Sequence, residues 1–556
     1  MAGAVLENLS TRKLIVLCVG LLLLQIVFFL VGGLIAPSPT SAVVHLANKC
    51  VDHGKHLHKH QWFTPWGPNH IKCEKVKDFD EAIQRQITAE QIVFAIEMPH
   101  RPNRITRWFQ YILAVMDVTV EYDHNNPLGP NPVMTLDVSL GYRDFEDDYD
   151  DWKMIARSTE MRKMDCNFSR PYHPDNNGYA YNCDLLPFFE LGSAHHDHYL
   201  INIRLPIHDK EHGPVNLGLG KLSDISITEI HQNGGFTKVW FAIKTFVTPL
   251  LIMLTVWFWR RVCQLNRKSV LMERTILALG ISLIILDFPL EWLTLWVDIP
   301  FMLLISDIRQ GIFYSMLLSF WIIFTGEHLM DQTQRNRLSV YWTQVGAIVF
   351  GCLCLFVFDM CERGVQLTNP FYSIWVTETG KNLAMAFIIV AAICASVYFM
   401  FLCYMVYKVF RNISIKKTAL PAMAKARQLH YQGLIYRFKF FMFFTLLCAA
   451  MTVIFFIITQ VNEGHWKWGE EHTIQVNSAF FTGVYGMWNI YVFAVMSLYA
   501  PSHKDKDKMT ATIPNGEVSG SSNEEFEMKH TSTVTTSAVD EEPSELYRLT
   551  GKAAQD

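Results

Sequence analysis

Eight long apolar segments organise this chain. The first, Leu14–Ala36, holds no charged residue over 23 positions, and a bilayer core about 30 Å thick takes roughly 20 apolar helical residues. A cleaved signal peptide has a shorter apolar run, about 7–15 residues. The segment therefore reads as an uncleaved signal anchor; cleavage after Ala36 is the alternative, and both put Pro37 onward on the far side of the membrane. No comparable run follows until Val239. Seven then come in succession: Val239–Trp259, Ile276–Trp296, Phe301–Thr325, Ser339–Phe358, Asn382–Tyr407, Phe440–Gln460 and Thr473–Tyr499.

The intervening segment changes period. Short or alternating apolar runs recur at Gln91–Met98, Gln110–Tyr122, Val133–Tyr142, Tyr179–Glu190, Tyr199–Pro206 and Asp224–Ile230. Turn-forming clusters such as Asn125-Asn126-Pro127 separate them. Many short strands with turn signals predict an antiparallel β-sandwich. The predicted organisation is a terminal segment 1–13, an anchor 14–36, a β domain 37–238, a seven-helix bundle 239–500 and a tail 501–556. The tail has six basic and 11 acidic residues with few large apolar groups, a disordered composition.

Loop charge sets the direction of insertion. Arg260, Arg261, Arg267, Lys268 and Arg274 follow the second segment. Lys408, Arg411, Lys416, Lys417, Lys425, Arg427, Arg437 and Lys439 follow the sixth, and Lys504, Lys506 and Lys508 follow the eighth. Both termini are then cytosolic and the β domain lumenal.

Only 18% of the residues are charged and the net charge is −4, against about 25% in soluble domains. That fits a membrane protein and argues against a nucleic-acid partner, which would need a basic face. Four of the 12 cysteines lie in the lumenal part. Three pairings are possible there, of which the local ones, Cys50–Cys73 and Cys166–Cys183, are preferred. Asn167-Phe168-Ser169 is a lumenal glycosylation sequon; the sequons at Asn8 and Asn412 fall on the cytosolic side. Fifteen of the 21 histidines lie between His45 and His231. For the clusters His53, His56, His58, His60 and His195, His196, His198 a zinc site is the sharp reading, but a solvated loop is preferred, with pH sensing as the other alternative. Neither a metal nor a cofactor is expected.

Charges inside spans mark ion-pair networks or cavities. Asp287 and Glu291 stand four apart on the third segment, which predicts one helix face. Asp307 and Arg309 open the fourth; Asp359, Glu362 and Arg363 close the fifth. Gly346 and Gly351 allow close helix contact. Nucleophile, zinc-protease and phosphate-loop motifs are missing, so no enzyme is expected. Seven helices after a lumenal domain also suit a heptahelical signalling receptor, but the fourth segment ends in GEHLMDQ and the last in VMSLYAPSHK, without the usual receptor triplet or Asn-Pro-x-x-Tyr.

WGPNH at Trp66–His70, IHQNGGFTKVWFAIKTF at Ile230–Phe246, DIRQGIFYSMLLSFWIIFTGEHLMDQ at Asp307–Gln332 and FDMCERGVQLTNPFYSIW at Phe358–Trp375 are long and specific. On these the chain resembles the Wntless (Evenness interrupted) family. The resemblance implies an α-helical membrane protein of eight transmembrane helices with a lumenal Golgi-dynamics-like β-sandwich. It implies a cargo, a Wnt protein bearing a palmitoleoyl group, whose acyl chain enters between the fourth and fifth membrane helices. It also implies a route from the endoplasmic reticulum through the Golgi to the plasma membrane, and return through endosomes by clathrin adaptor and retromer. On that scheme the acyl slot is expected at Phe313, Tyr314, Leu317, Phe320, Phe350, Leu353 and Phe356, with Asp307, Arg309, Asp359, Glu362 and Arg363 as its rim. Tyr431 and Leu434 form a Tyr-x-x-Leu endocytic signal in a basic loop. The chain ends Lys552-Ala553-Ala554-Gln555-Asp556, a departure from the family's Lys-Glu-Ala-Gln-Glu-type retrieval signal. A carrier needs no chemistry: about 0.8 kcal/mol per methylene gives an acyl chain of roughly 14 such groups about 11 kcal/mol of drive out of water. The competing readings are the signalling receptor and an intramembrane acyl-transfer enzyme.

Overall fold

The computed structural model describes residues 5–54, 61–65, 73–77, 79–99, 103–209, 213–265, 267–329, 336–417, 425–468 and 478–501. Trp66–His70, His56, His58, His60, the tail beyond residue 501 and the side chain of Tyr431 lie outside the described residues.

In chain order the helices are α1 (Val5–Asn8), α2 (Thr11–Leu30, continued by a π turn Val31–Ile35), α3 (Phe79–Gln84), α4 (Gly234–Cys263), α5 (Leu271–Asp287), α6 (Met302–Glu327), α7 (Trp342–Gln366), α8 (Glu378–Lys417), α9 (Lys425–Trp468) and α10 (Ser478–Tyr499). All except α1 and α3 are long and apolar enough to cross a membrane, so the chain is a multi-pass membrane protein. One segment departs from its expected form. The third is not a continuous helix: α5 stops at Asp287, and a 3-10 stretch Leu290–Leu295 follows. Pro289 removes a donor and holds Phe288 out of the helical region, so Asp287 and Glu291 do not share an α-helical face.

The strands are β1 (Thr40–Leu46), β2 (Asn48–Val51), β3 (Ile92–Met98), β4 (Ile112–Glu121), β5 (Val133–Arg143), β6 (Lys153–Lys163), β7 (Cys166–Asn167), β8 (Asn182–Cys183), β9 (Leu186–Leu191), β10 (His198–Arg204), β11 (His208–Asp209), β12 (Gly213–Pro214) and β13 (Lys221–Gln232). Two antiparallel sheets, ordered β1-β13-β4-β9 and β2-β3-β10-β5-β6, close on Ile96, Met116, Leu136, Val138, Ile201, Ile225 and Ile227. Cys50 is joined to Cys73 and Cys166 to Cys183. The second bond ties the paired β7 and β8, where Asn167 is exposed.

The sheet is wired directly into the bundle. β1 leaves α2 and pairs along its length with β13, which enters α4. The change from strand to helix falls at Asn233, earlier than the Val239 read from hydropathy. Asn233 caps α4 by accepting from the Gly235 amide at 2.9 Å, and its Nδ2 donates to Ser41 at 2.9 Å. An Asn cap satisfies a helix-start amide that has no partner within the helix. A Cβ on Gly235 would stand 2.8 Å from Pro37, so entry and exit chains pass at contact distance. In the bundle, α10 is the axis, with 17 of its 22 residues buried. The first span lies against it at Gly32, where a Cβ would meet the Ser478 carbonyl at 2.6 Å.

Candidate functional site

The expected slot lies where α6 meets α7, and α6 has two different halves. From Leu317 to His328, eleven of 12 residues are buried; from Leu303 to Met316 only Arg309 and Phe313 are. Successive α-helical residues turn by about 100°. The six consecutive half-exposed residues Leu303–Ile308 therefore sweep more than a full circle. At that level the helix is only partly covered on every side. Beside Gly311, further along the same half, no described atom lies within 4 Å of a built Cβ. On α7 only Glu362 and Gln366 are buried. Gly346 and Gly351 likewise have no described atom within 4 Å, so the close contact they allow is not made among the described residues.

The seven candidate lining residues divide. Phe313, Leu317 and Phe320 have no exposure and belong to the solid core; Phe313 packs on Trp488 at 5.5 Å and Phe320 on Phe324 at 5.4 Å. Tyr314 is partly buried and accepts from Gln310 Nε2 at 3.0 Å. Phe350 and Leu353 are 67% and 53% exposed and face outward from α7; Phe356 is half-buried. A choice by helix and depth thus mixed three environments, because apolar residues recur around the whole circumference of a span. The half-exposed stripe at helical spacing on α6 is Leu304, Ile308, Gly311 and Ser315.

The rim charges also divide. Arg309 belongs to a buried knot. Its Nη1 donates to Glu291 Oε1 at 3.1 Å and its Nε to the Ile285 carbonyl at 2.6 Å. Its Nη2 takes the carbonyls of Leu286 and Phe288; Pro289, with no N–H, leaves the Ile285 carbonyl without a helical donor. Lys244, from α4, reaches the same Glu291 oxygen at 2.6 Å. Breaking one arm of such a buried pair is expensive because it strands the other charge. Lys244 sits inside the second apolar segment and is the member that the sequence reading passed over.

Asp307, Asp359 and Arg363 form the second group. Arg363 Nε lies 3.8 Å from Asp307 and 3.9 Å from Asp359, and its Nη1 donates to Glu190 on β9. Glu362 accepts from Ser373 at 3.4 Å. This group continues into a joint between bundle and sandwich. The loop after α7 inserts Phe371, fully buried, into the sandwich core beside Phe188 at 5.8 Å and Phe189 at 6.1 Å. Buried Arg162 donates Nη2 to the Phe371 carbonyl at 2.8 Å and Nε to that of Pro187 at 2.8 Å, with Glu160 on its third arm at 3.0 Å. The Glu190 amide donates to the Pro370 carbonyl at 2.9 Å, and Asn369 Nδ2 to Glu160 at 3.1 Å. A second contact sets Arg107 Nη1 on the Leu295 carbonyl at 2.8 Å and Trp108 against Trp292 and Phe241 at 5.9 and 5.8 Å. The sandwich is thus fixed over the open end of the bundle.

The histidines do not gather around a metal; among the described residues no three metal-ligating side chains converge. His53 pairs with exposed Glu74 at 2.5 Å, and His196 with Asp144 at 3.0 Å. His45 and His231 flank buried Glu229 at 2.9 and 3.2 Å. Burial raises the Glu229 carboxyl, and the hydrogen bonds from His231 and His45 more than offset it, holding it below the usual range. Leu434 of the expected endocytic pair is buried within α9.

Comparison with known proteins agrees with this two-part architecture. Residues 48–232 match the Wntless GOLD domain and residues 233–503 the Wntless-like transmembrane domain, so the two family units meet at the Asn233 junction. The chain is similar over its full length, and over theirs, to the protein wntless homologs of Gallus gallus at 57% identity and Homo sapiens at 55%. It is 46% identical to protein wntless of Drosophila mojavensis, with 99% of this chain and 98% of that one covered. The chain belongs to the Wntless family.

Proposed function

We propose that this protein is a non-enzymatic carrier of lipid-modified Wnt proteins. It shelters the palmitoleoyl chain between α6 and α7 and escorts its cargo from the endoplasmic reticulum through the Golgi to the cell surface. The observation that carries this reading is the partly covered turn Leu303–Ile308, together with the open space at Gly311. A hydrocarbon chain needs an apolar gap that side chains leave unfilled, because well-packed interiors have no room for one. The sandwich, locked over that gap through Phe371 and Arg363, supplies a lumenal surface for the Wnt body while the lipid enters below it. The stripe Leu304, Ile308, Gly311 and Ser315, with half-buried Phe356 of α7, is the lining in place of Phe350 and Leu353.

Asn167 is the glycosylation site, and both termini are cytosolic. The carrier recycles through clathrin adaptor and retromer. Co-purification tests the core of the reading. A Wnt with its acylated serine replaced by alanine should be lost from the complex, while the acylated protein is retained. Equal recovery of both would refute lipid-dependent capture.

A further inference from the structure

The half of the bundle away from the sandwich is closed partly by the chain's own N-terminal segment. Leu6 of α1 is 1% exposed and lies in the bundle core with Leu434, Phe438, Tyr499 and Ala500. The Val5 amide donates to the Ala500 carbonyl, just beyond α10, at 2.9 Å. Arg437 of α9 holds the other side. Its Nη1 donates to the carbonyls of Leu9 at 2.7 Å and Leu6 at 3.3 Å, and its Nη2 to Thr11 at 2.9 Å. A helix as short as α1 leaves its carbonyls without internal partners, and a guanidinium fork suits several of them at once. Arg437 stands three residues after Leu434, within one helical turn, and Leu434 is 2% exposed.

We propose that this N-terminal segment masks the Tyr431–Leu434 sorting signal, so that a clathrin adaptor and residues 5–11 compete for one surface of the protein. The proposal rests on the reading of that tetrapeptide as an endocytic signal. A linear motif of this kind is read by placing its anchor side chains in pockets of the partner, and Leu434 is committed to the carrier's own core. The signal becomes readable only when Leu6 leaves its seat, Arg437 releases the carbonyls of Leu6 and Leu9, and the first turns of α9 unwind. Internalisation is therefore set by the docking of the N-terminus as well as by the presence of the motif.

The test uses the full-length protein in cells. Leu434→Cys is labelled with a membrane-impermeant maleimide after permeabilisation, and its peptide is quantified by mass spectrometry; antibody uptake is measured in parallel. Labelling should be slow in the parent and at least ten-fold faster when Leu6→Asp or Arg437→Ala is added. In proteins with Leu434 intact, either substitution should at least double uptake, and Tyr431→Ala should abolish the gain. Wnt capture by the Leu6→Asp protein reports that the bundle is folded, and Arg437→Ala gives the same readout from the other partner. Labelling that is fast in the parent, or unchanged by both substitutions, overturns the masking even if Tyr431→Ala still blocks uptake. Faster labelling with uptake that is flat or independent of Tyr431 overturns the proposal through the signal reading itself.

Discussion

Phe371→Ala tests the joint between bundle and sandwich. The ring comes from a loop between membrane helices yet is fully buried in the sandwich core. Truncating a buried Phe to Ala typically costs about 3–5 kcal/mol, and its two ring neighbours, Phe188 and Phe189, belong to the sandwich alone. The loss therefore falls on docking, while each module keeps its own core. The Glu190 amide is a local probe, because it donates to the Pro370 carbonyl across the joint. At 1.4 kcal/mol per factor of ten, its opening constant should rise by roughly two to three and a half orders of magnitude. Hydrogen exchange on protein in nanodiscs reads this as a matching loss of protection at Glu190, while Ile201 and Leu140, in the middle of the other sheet, keep theirs. Wnt capture should fall with it. Unchanged protection at Glu190 would refute the reasoning, and loss throughout the sandwich would show that Phe371 stabilises the domain instead of joining it.

Other expectations are as direct. Gly32→Leu should separate the first span from α10, because even a Cβ there collides with the Ser478 carbonyl; overpacking of about 1–3 kcal/mol should appear as a lower midpoint in a thermal dispersity assay, whereas Gly20→Leu, which meets no described neighbour, should be neutral. Mild acid should weaken the sandwich's second contact. Burial, and then the Arg107 charge, hold the His195 imidazole below its usual range, so stability is lost as pH falls through the unfolded value of about 6.5. His195→Asn should reduce the difference in thermal midpoint between pH 7.4 and 5.5, and an unaltered difference would remove His195 as its source. Glu229, held low, stays ionised across that window and contributes only under stronger acid.

The membrane spans and most sandwich strands were legible because each carries its period in the sequence. β6 was not, because it is a polar edge strand reading Lys-Met-Ile-Ala-Arg-Ser-Thr-Glu-Met-Arg-Lys, with only Arg162 buried; edge strands shed the apolar alternation that marks inner ones. β1 was hidden by its closeness to the anchor. The rim charges were found as a set, but their division was not visible: Arg309 turns inward because Pro289 frees the Ile285 carbonyl beside it, and Arg363 turns outward because Glu190 waits on another domain. Neither partner is near in sequence. The candidate lining residues divide for a related reason. Hydropathy reports that a face is apolar and is silent on whether protein, bilayer or cargo covers it, so Phe313 and Phe350 look alike along the chain and opposite in space.

The central claim is that the acyl chain lies between α6 and α7 on the sandwich side. A Wnt carrying a diazirine-labelled palmitoleoyl group, photolysed in complex with the carrier and mapped by mass spectrometry, tests it most directly. Adducts should concentrate on Leu303–Met316 of α6 and on α7 near Phe356. Adducts confined to α2, or to the sealed half of α6 beyond Leu317, would contradict the account.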